Sequence, residues 1–451
     1  MNRPVHPAIR ATLLSTILLA SAGAAADPAP PVPPLPPATP SNLVPPPPDA
    51  VIRSTANALR KVSFAQAIQL ALEQASDARI AADEVARAAA LLAEAAAALR
   101  PVLGVAGTYQ QLEADRTVSG RQTTAAESFL GQVTVAMPIM NFRERADRQR
   151  AADQLEVERT TAATIRRTVA IQAGRAYLAV FAAKRIIEVA EQARETAAAH
   201  VTFATQRTAG GIGTELDIVR AQAELATDES NLASAETALV QAEEALGVIT
   251  GQSAPLGSTD EPNLDAGPDT AGVVKRADVV AGERRLASAE WSRGAQWAEW
   301  VPTLSINGNA FYTTPQIDPT PRLGFQVLAV LAMPLYDGGF RDGLRQERDA
   351  VLAEAREELA QLERSASSEV RASQDAVRRA REARDASHRS ADLAARALEL
   401  ANVAYSGGTG TSLEVIDAQR SARDAATQAV IADDGLRQAE FGLLAATGHV
   451  P

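Results

Sequence analysis

Two stretches set the scale of this chain. Residues 142–207 mix alanines and larger apolar residues with charged ones, without a proline and with one glycine, Gly174. At about 1.5 Å per residue such a helix approaches 100 Å, far beyond the roughly 8–20 residues of a globular helix. Residues 341–404 repeat the pattern. Each long helix follows a shorter helical stretch (62–99 and 272–300) and two short segments of different character. Residues 102–112 and 129–137 in one half, and 303–312 and 323–333 in the other, mix Val, Leu, Thr, Phe and Gly as strands do. A polar loop at 115–127 separates the first pair and a Pro-rich turn at 313–322 the second; Pro138 is expected to end the second strand. Glycine runs break both long helices, and final helices follow at 214–249 and 411–446. The two shorter helices of each half together match the long one in residue number. That suits a layer of side-by-side helices.

The halves are copies. Gly210 to Gly251 and Gly407 to Gly448 align without a gap at an offset of 197, with identities including Gly213/Gly410, Thr214/Thr411, Leu216/Leu413, Gln222/Gln419 and Glu243/Glu440. Upstream, Met137-Pro138 answers Met333-Pro334 at 196, and Arg100-Pro101-Val102-Leu103 answers Val301-Pro302-Thr303-Leu304 at 201. A period near 200 is too long for a solenoid, whose units run about 20–50 residues. The expected organisation is a first repeat at 62–251 with its hairpin at 102–137, a linker at 252–271, and a second repeat at 272–448 with its hairpin at 303–333.

Each strand is about ten residues, the length that crosses a bilayer at a tilt. Both hairpins carry neutral polar residues: Thr108, Gln110, Gln132 and Thr134 in one, Ser305, Asn307, Asn309 and Gln326 in the other. Alternation is imperfect, since Val327 to Leu331 is wholly apolar. Membrane barrels start at about eight strands, and open strand edges are not tolerated in lipid. Four strands that cross a membrane therefore require several copies, and three copies give twelve.

Composition narrows the field. The net charge of −11 offers no basic patch for nucleic acid, so none is expected as a partner. Cysteine is absent, which excludes disulfides, thiolate metal sites and an acylated cysteine. His6, His200, His388 and His449 have no ligand spacing, so no metal and no cofactor are expected. No nucleophile, base and orienting group converge in a motif, so an enzyme is unsupported. Aromatics are only 4 % of a 451-residue chain, consistent with long helices that approach closely through alanine. Residues 1–26 read as a secretory signal, with Arg3 and Arg10, an apolar run at 11–22 and Ala24-Ala25-Ala26 before Asp27. Residues 27–61 read as a Pro-rich extended linker.

With these elements in order, the chain resembles the TolC family of outer-membrane channels. The match covers about residues 62–448. It is carried by Tyr405-Ser406-Gly407-Gly408-Thr409-Gly410-Thr411-Ser412-Leu413-Glu414-Val415-Ile416-Asp417-Ala418-Gln419-Arg420, by Pro334-Leu335-Tyr336-Asp337-Gly338-Gly339, and by Arg276-Ala277-Asp278. The resemblance implies a mainly α fold with membrane β-hairpins, a homotrimer whose twelve-stranded β-barrel continues as a twelve-helix α-barrel tunnel. It implies a passive outer-membrane exit duct in a tripartite efflux pump, extending into the periplasm. Its partners are then a periplasmic adaptor protein, an inner-membrane pump of RND type or an ABC exporter, and outer-membrane lipid. The lack of an N-terminal cysteine implies an unlipidated form. A duct for type I protein secretion is the alternative within the family. A periplasmic adaptor, with one helical hairpin flanked by β domains, is the alternative outside it.

The resemblance also implies site residues. Glu414 and Asp417, at i and i+3 on one helix face, match acidic residues that ring the periplasmic aperture, where three copies attract cations. Thr411-x-x-Glu414 also reads as a capping box. Asp217 matches an acid that bonds the family's tyrosine, here Tyr405. Gly410 stands where some members carry a basic latch residue, and Arg220 is a candidate substitute that would pair with Glu414 or Asp417. Gly210, Gly211, Gly407 and Gly408 are expected to take positive φ in the inter-helix turns and to contact the adaptor. Tyr109, Phe129, Phe311, Tyr312 and Phe325 are candidates for an aromatic girdle, and Trp291, Trp297 and Trp300 for packing where helices meet strands.

Overall fold

The computed structural model describes residues 59–118, 121–262, 264, 276–317 and 321–449. The expected signal segment, most of the Pro-rich linker and the end of the inter-repeat linker lie outside them. The first repeat begins with strand β1 (Arg60–Val62), so the two last residues of the expected linker belong to the fold. Helices α1 (Phe64–Gln74) and α2 (Ser76–Ala97) follow where one helix was expected. Ser63 starts α1 with a capping box shared with Gln66, and Ala75, extended at ψ 138°, separates the two helices. The break has a packing cause. Gly251 sits so close that a Cβ there would lie 2.5 Å from the Gln74 carbonyl oxygen.

Strands β2 (Val102–Gln111) and β5 (Glu127–Met140) form the first hairpin, and its loop carries a small hairpin of its own, β3 (Arg116–Val118) with β4 (Arg121–Thr124). Pro138 does not end β5. Pairing with β2 stops at Ala136, so that side of Pro138 has no ladder to supply with an N–H, and a register shift between Pro138 and Met140 absorbs the rest. Then come α3 (Phe142–Ala209) and α4 (Glu215–Ile249). Within the expected linker, β6 (Leu256–Ser258) pairs in parallel with β1. The second repeat holds α5 (Ala277–Gly294), a 3-10 turn (Ala295–Glu299), β7 (Thr303–Thr314), β8 (Leu323–Ala332), α6 (Phe340–Ser406) and α7 (Ser412–Thr447).

Alanine is the commonest buried residue of α3, with Ala170, Ala173, Ala197 and Ala204 among those that let helices approach closely. Bulk is concentrated at one seam between the repeats. Phe64 meets Tyr177 and Phe441 edge to face, with ring centroids 5.5 and 5.6 Å apart. The Tyr177 hydroxyl donates to the Asp260 carbonyl at 2.7 Å. Gly174 makes room for Phe441, since a Cβ there would lie 2.4 Å from its ring. Gly174→Val is therefore expected to lower stability by about 1–3 kcal/mol through overpacking, read as a fall in melting temperature. An unchanged melting curve would mean that Phe441 moves freely, contrary to its burial.

Strands β2, β5, β7 and β8 make one antiparallel sheet in that order, so the two hairpins join at β5–β7 and both edges, β2 and β8, are unpaired among the described residues. The register sorts the side chains. Leu103, Val135, Gly308 and Val327 are aligned on one face, as are Val105, Val133, Ala310 and Phe325. The other face aligns Gly104, Thr134, Asn309 and Gln326, and puts Gln132 beside Phe311. All the neutral polar residues noted in the sequence share this second face: the period of two groups them within each strand, and the register brings the strands' polar sides together. The imperfect alternation of β8 is resolved too, because Leu328 and Val330 lie on the polar face near its far end. Among the expected girdle residues Tyr109, Phe129, Tyr312 and Phe325 are on the apolar face. Phe311 is not: it points the other way and covers Gly324.

Candidate functional site

The two inter-helix turns, 210–213 and 407–410, each lie a full long-helix length from the sheet, about 100 Å. They are built alike. Only the second glycine of each pair is left-handed, Gly211 at φ 73° and Gly408 at φ 78°. Gly210 at φ −78° and Gly407 at φ −74° are ordinary caps, which corrects the expectation that all four need positive φ. Thr214 and Thr411 then start α4 and α7 with capping boxes. The Thr214 N–H donates to Asp217 Oδ2 at 3.1 Å and the Thr411 N–H to Glu414 Oε2 at 2.9 Å. Both acids are thus satisfied locally.

The expected Asp217–Tyr405 bond is absent from the chain. Tyr405 is instead held from α3, whose His200, Phe203 and Arg207 form one helical stripe. The His200 and Phe203 rings both lie 5.6 Å from the Tyr405 ring. The Arg207 guanidinium stands 4.4 Å over it and donates to the Tyr405 carbonyl. Asp217 Oδ2 is engaged by Thr214 instead, and the buried Tyr405 hydroxyl has no hydrogen-bond partner among the described residues. Arg220 is exposed and pairs with neither Glu414 nor Asp417. Asp417 is also exposed, one turn along α7, with its carboxylate unpaired among the described residues. Gly410 has a steric reason to lack a side chain, since a Cβ would come within 3.0 Å of the Tyr405 nitrogen.

The strongest charge pairing lies just beyond these turns, and sequence reasoning missed it. Glu224 and Asp228 of α4 are 1 % and 4 % exposed. Arg420 Nε meets Glu224 at 2.6 Å, while Arg423 Nη1 meets Glu224 at 3.0 Å and Asp228 at 2.7 Å. One repeat supplies both acids and the other both bases. The signal was present in the alignment of copies: at the offset of 197, Glu224 falls beside Ser421, between the two arginines.

His200 carries a pH prediction. Burial holds its imidazole below the usual histidine value, partly opposed by the charge of Asp217. Its ring sits 3.4 Å from the Ser412 hydroxyl, under the first residue of α7. The neutral ring is the native form, whereas the unfolded chain takes a proton below about pH 6.5. Stability from this group is therefore present above that pH and lost as pH falls below it. Amide exchange at the 405–412 turn, corrected for intrinsic rates, should accelerate between roughly pH 7.5 and 5.5, and His200→Gln should flatten the change. Equal acceleration in both proteins would refute this.

At the other end, the aromatic residues gather where helices meet strands. Phe142 packs on Trp297 at 5.4 Å, and Arg341 stands 4.0 Å over the Trp300 ring while Asp337 binds it at 2.5 Å. Trp297 and Trp300 nonetheless remain about half exposed. Among the described residues no helix is long and apolar enough to cross a membrane.

Long paired helices on a strand sheet with one apolar and one polar face define a subunit of a membrane duct that reaches far beyond the bilayer. The model of the outer membrane efflux protein family matches residues 67–252 and 273–449, and the chain belongs to that family. It is 26 % identical over 404 residues to the pyoverdine export outer membrane protein OpmQ of Pseudomonas aeruginosa, covering 84 % of each chain. It is 26 % identical over 270 residues to outer membrane protein OprJ of the same organism, where the match spans 56 % of this chain and 55 % of OprJ. Its fold matches the outer membrane protein VceC of Vibrio cholerae with a TM-score of 0.72 at 18 % identity, covering 85 % of this chain and 96 % of VceC. The protein is an outer-membrane efflux channel component.

Proposed function

We propose that three copies assemble into a trans-periplasmic exit duct for small molecules, the outer-membrane part of a tripartite efflux pump. The observation that carries this reading is the four-stranded sheet with two unpaired edges. In lipid such edges must be closed, and three copies of the sheet close as twelve strands, within the range of membrane barrels. The apolar face then meets lipid and the face with Thr134, Asn309 and Gln326 lines the pore. The helices of the three copies continue the pore as a tunnel. Conduction is passive, and the driving force comes from an inner-membrane pump joined through a periplasmic adaptor. Ile212, Leu216 and Val219 by one turn and Leu413 by the other are exposed apolar residues at the tips, which supports docking there beside Gly210, Gly211, Gly407 and Gly408. Glu414 and Asp417, three of each, form the cation-attracting aperture, with Asp217, Arg220 and Tyr405 at its rim.

The mass of the detergent-solubilised protein tests the assembly. A trimer that conducts ions across a planar bilayer is expected. A folded, barrel-containing monomer would rule the reading out.

A further inference from the structure

The seam between the helix pairs, α3 with α4 and α6 with α7, holds a cavity of about 340 Å³. All four helices line it, including Val189 and Ala193 of α3, Asp228 of α4, Leu398 of α6, and Gln419 and Ala422 of α7. The walls are mainly apolar, and one of the polar groups among them is unsatisfied among the described residues. Gln419 is only 8 % exposed, and its Oε1 is buried without a hydrogen-bond partner. A buried acceptor left unpaired costs about 1–3 kcal/mol. Gln222, at the same place in the first repeat, is exposed and carries no such cost. Asp228 brings a carboxylate to the wall, fixed by Arg423, and Glu188 is exposed at the rim. The size falls in the usual range for small-molecule sites, roughly 300–1,000 Å³, where an apolar lining with a few placed polar groups is the rule.

We propose that this seam cavity binds a small amphiphile with an apolar body and an N–H donor, neutral or protonated. The body packs on Val189, Ala193, Leu398 and Ala422, and the N–H donates to Gln419 Oε1. Asp228 is already paired with Arg423, which also lines the cavity, so the wall accepts a neutral donor as readily as a protonated one. The site goes beyond the duct reading, because it lies in the helix layer of each chain and its occupancy is measured without reference to conduction.

N-phenyl-α-naphthylamine is a suitable probe: two aromatic groups joined by one N–H, and fluorescent in apolar surroundings. It would be titrated against the full assembly in lipid nanodiscs, with protein-free nanodiscs as background. One saturable site per chain is expected. Ala422→Trp, which fills the cavity, should abolish the saturable part, and Ala426→Met, a milder filler, should weaken it in an assembly of unchanged mass. Gln419→Leu should weaken binding about three- to tenfold through the lost hydrogen bond. Binding no different from empty nanodiscs overturns the proposal, as it would if a second copy already filled the seam. Saturable binding untouched by both filling variants also overturns it. Conductance of the same samples tests the duct independently, so failure of one reading is distinguishable from failure of the other.

Discussion

Arg423→Ala is expected to destabilise the chain by about 3–5 kcal/mol, the largest effect of any single substitution considered, because it leaves two buried carboxylates short of a partner. Glu224 and Asp228 are almost fully covered, and among the described residues the Arg423 guanidinium is the one group that meets both. Arg420 still reaches Glu224 but is half exposed and makes no contact with Asp228. Arg420→Ala should therefore cost much less. Asp228→Asn combined with Arg423→Ala should recover part of the loss, since one of the stranded charges is gone. Denaturant melts of the three variants read this directly. Equal costs for Arg420→Ala and Arg423→Ala would show that the pairing is not organised around Arg423.

Removing the charge of the proposed aperture should change conduction by severalfold without a matching change in stability. Glu414 complicates the test because its carboxylate also caps α7. Glu414→Ala loses the cap at a cost of about 0.5–2 kcal/mol, whereas Glu414→Gln retains an acceptor for the Thr411 N–H and loses only the charge. The informative protein is therefore Glu414→Gln with Asp417→Ala. In a planar bilayer it should conduct more than the parent and lose block by multivalent cations, while its melting curve stays close to the parent's. If conductance and block are both unchanged, these carboxylates are caps and solvated surface, and the aperture lies elsewhere.

Much of this molecule was legible before any coordinates. The long helices, the four strand segments, the glycine turns and the Thr411–Glu414 capping box are written in local spacing, where each residue answers to neighbours three or four positions away. The tandem copy predicted that the halves would carry matching parts, and Thr214/Asp217 and Thr411/Glu414 do match. Expectations failed where one element had to be placed against another. Tyr405 was assigned to Asp217, but within one chain its ring packs on the stripe His200, Phe203 and Arg207, because α3 packs against the end of α6. Phe311 was assigned to an aromatic girdle, but pairing with Gly324 sends it to the polar face. Pro138 was read as a strand end, yet it is accommodated where the neighbouring strand has already stopped.

The sequence by itself determined a duplicated chain of long alanine-rich helices and short two-faced strands, since those follow from periodicity and from turn and cap chemistry within a few residues. The tertiary structure alone decided which strand face each polar residue shares, which acid meets which arginine across the repeats, and where Gln419 is left without a partner. A one-residue change in strand register reverses a face, and a small shift of one helix along another exchanges its ion-pair partners. Neither is encoded at the range over which local spacing is read.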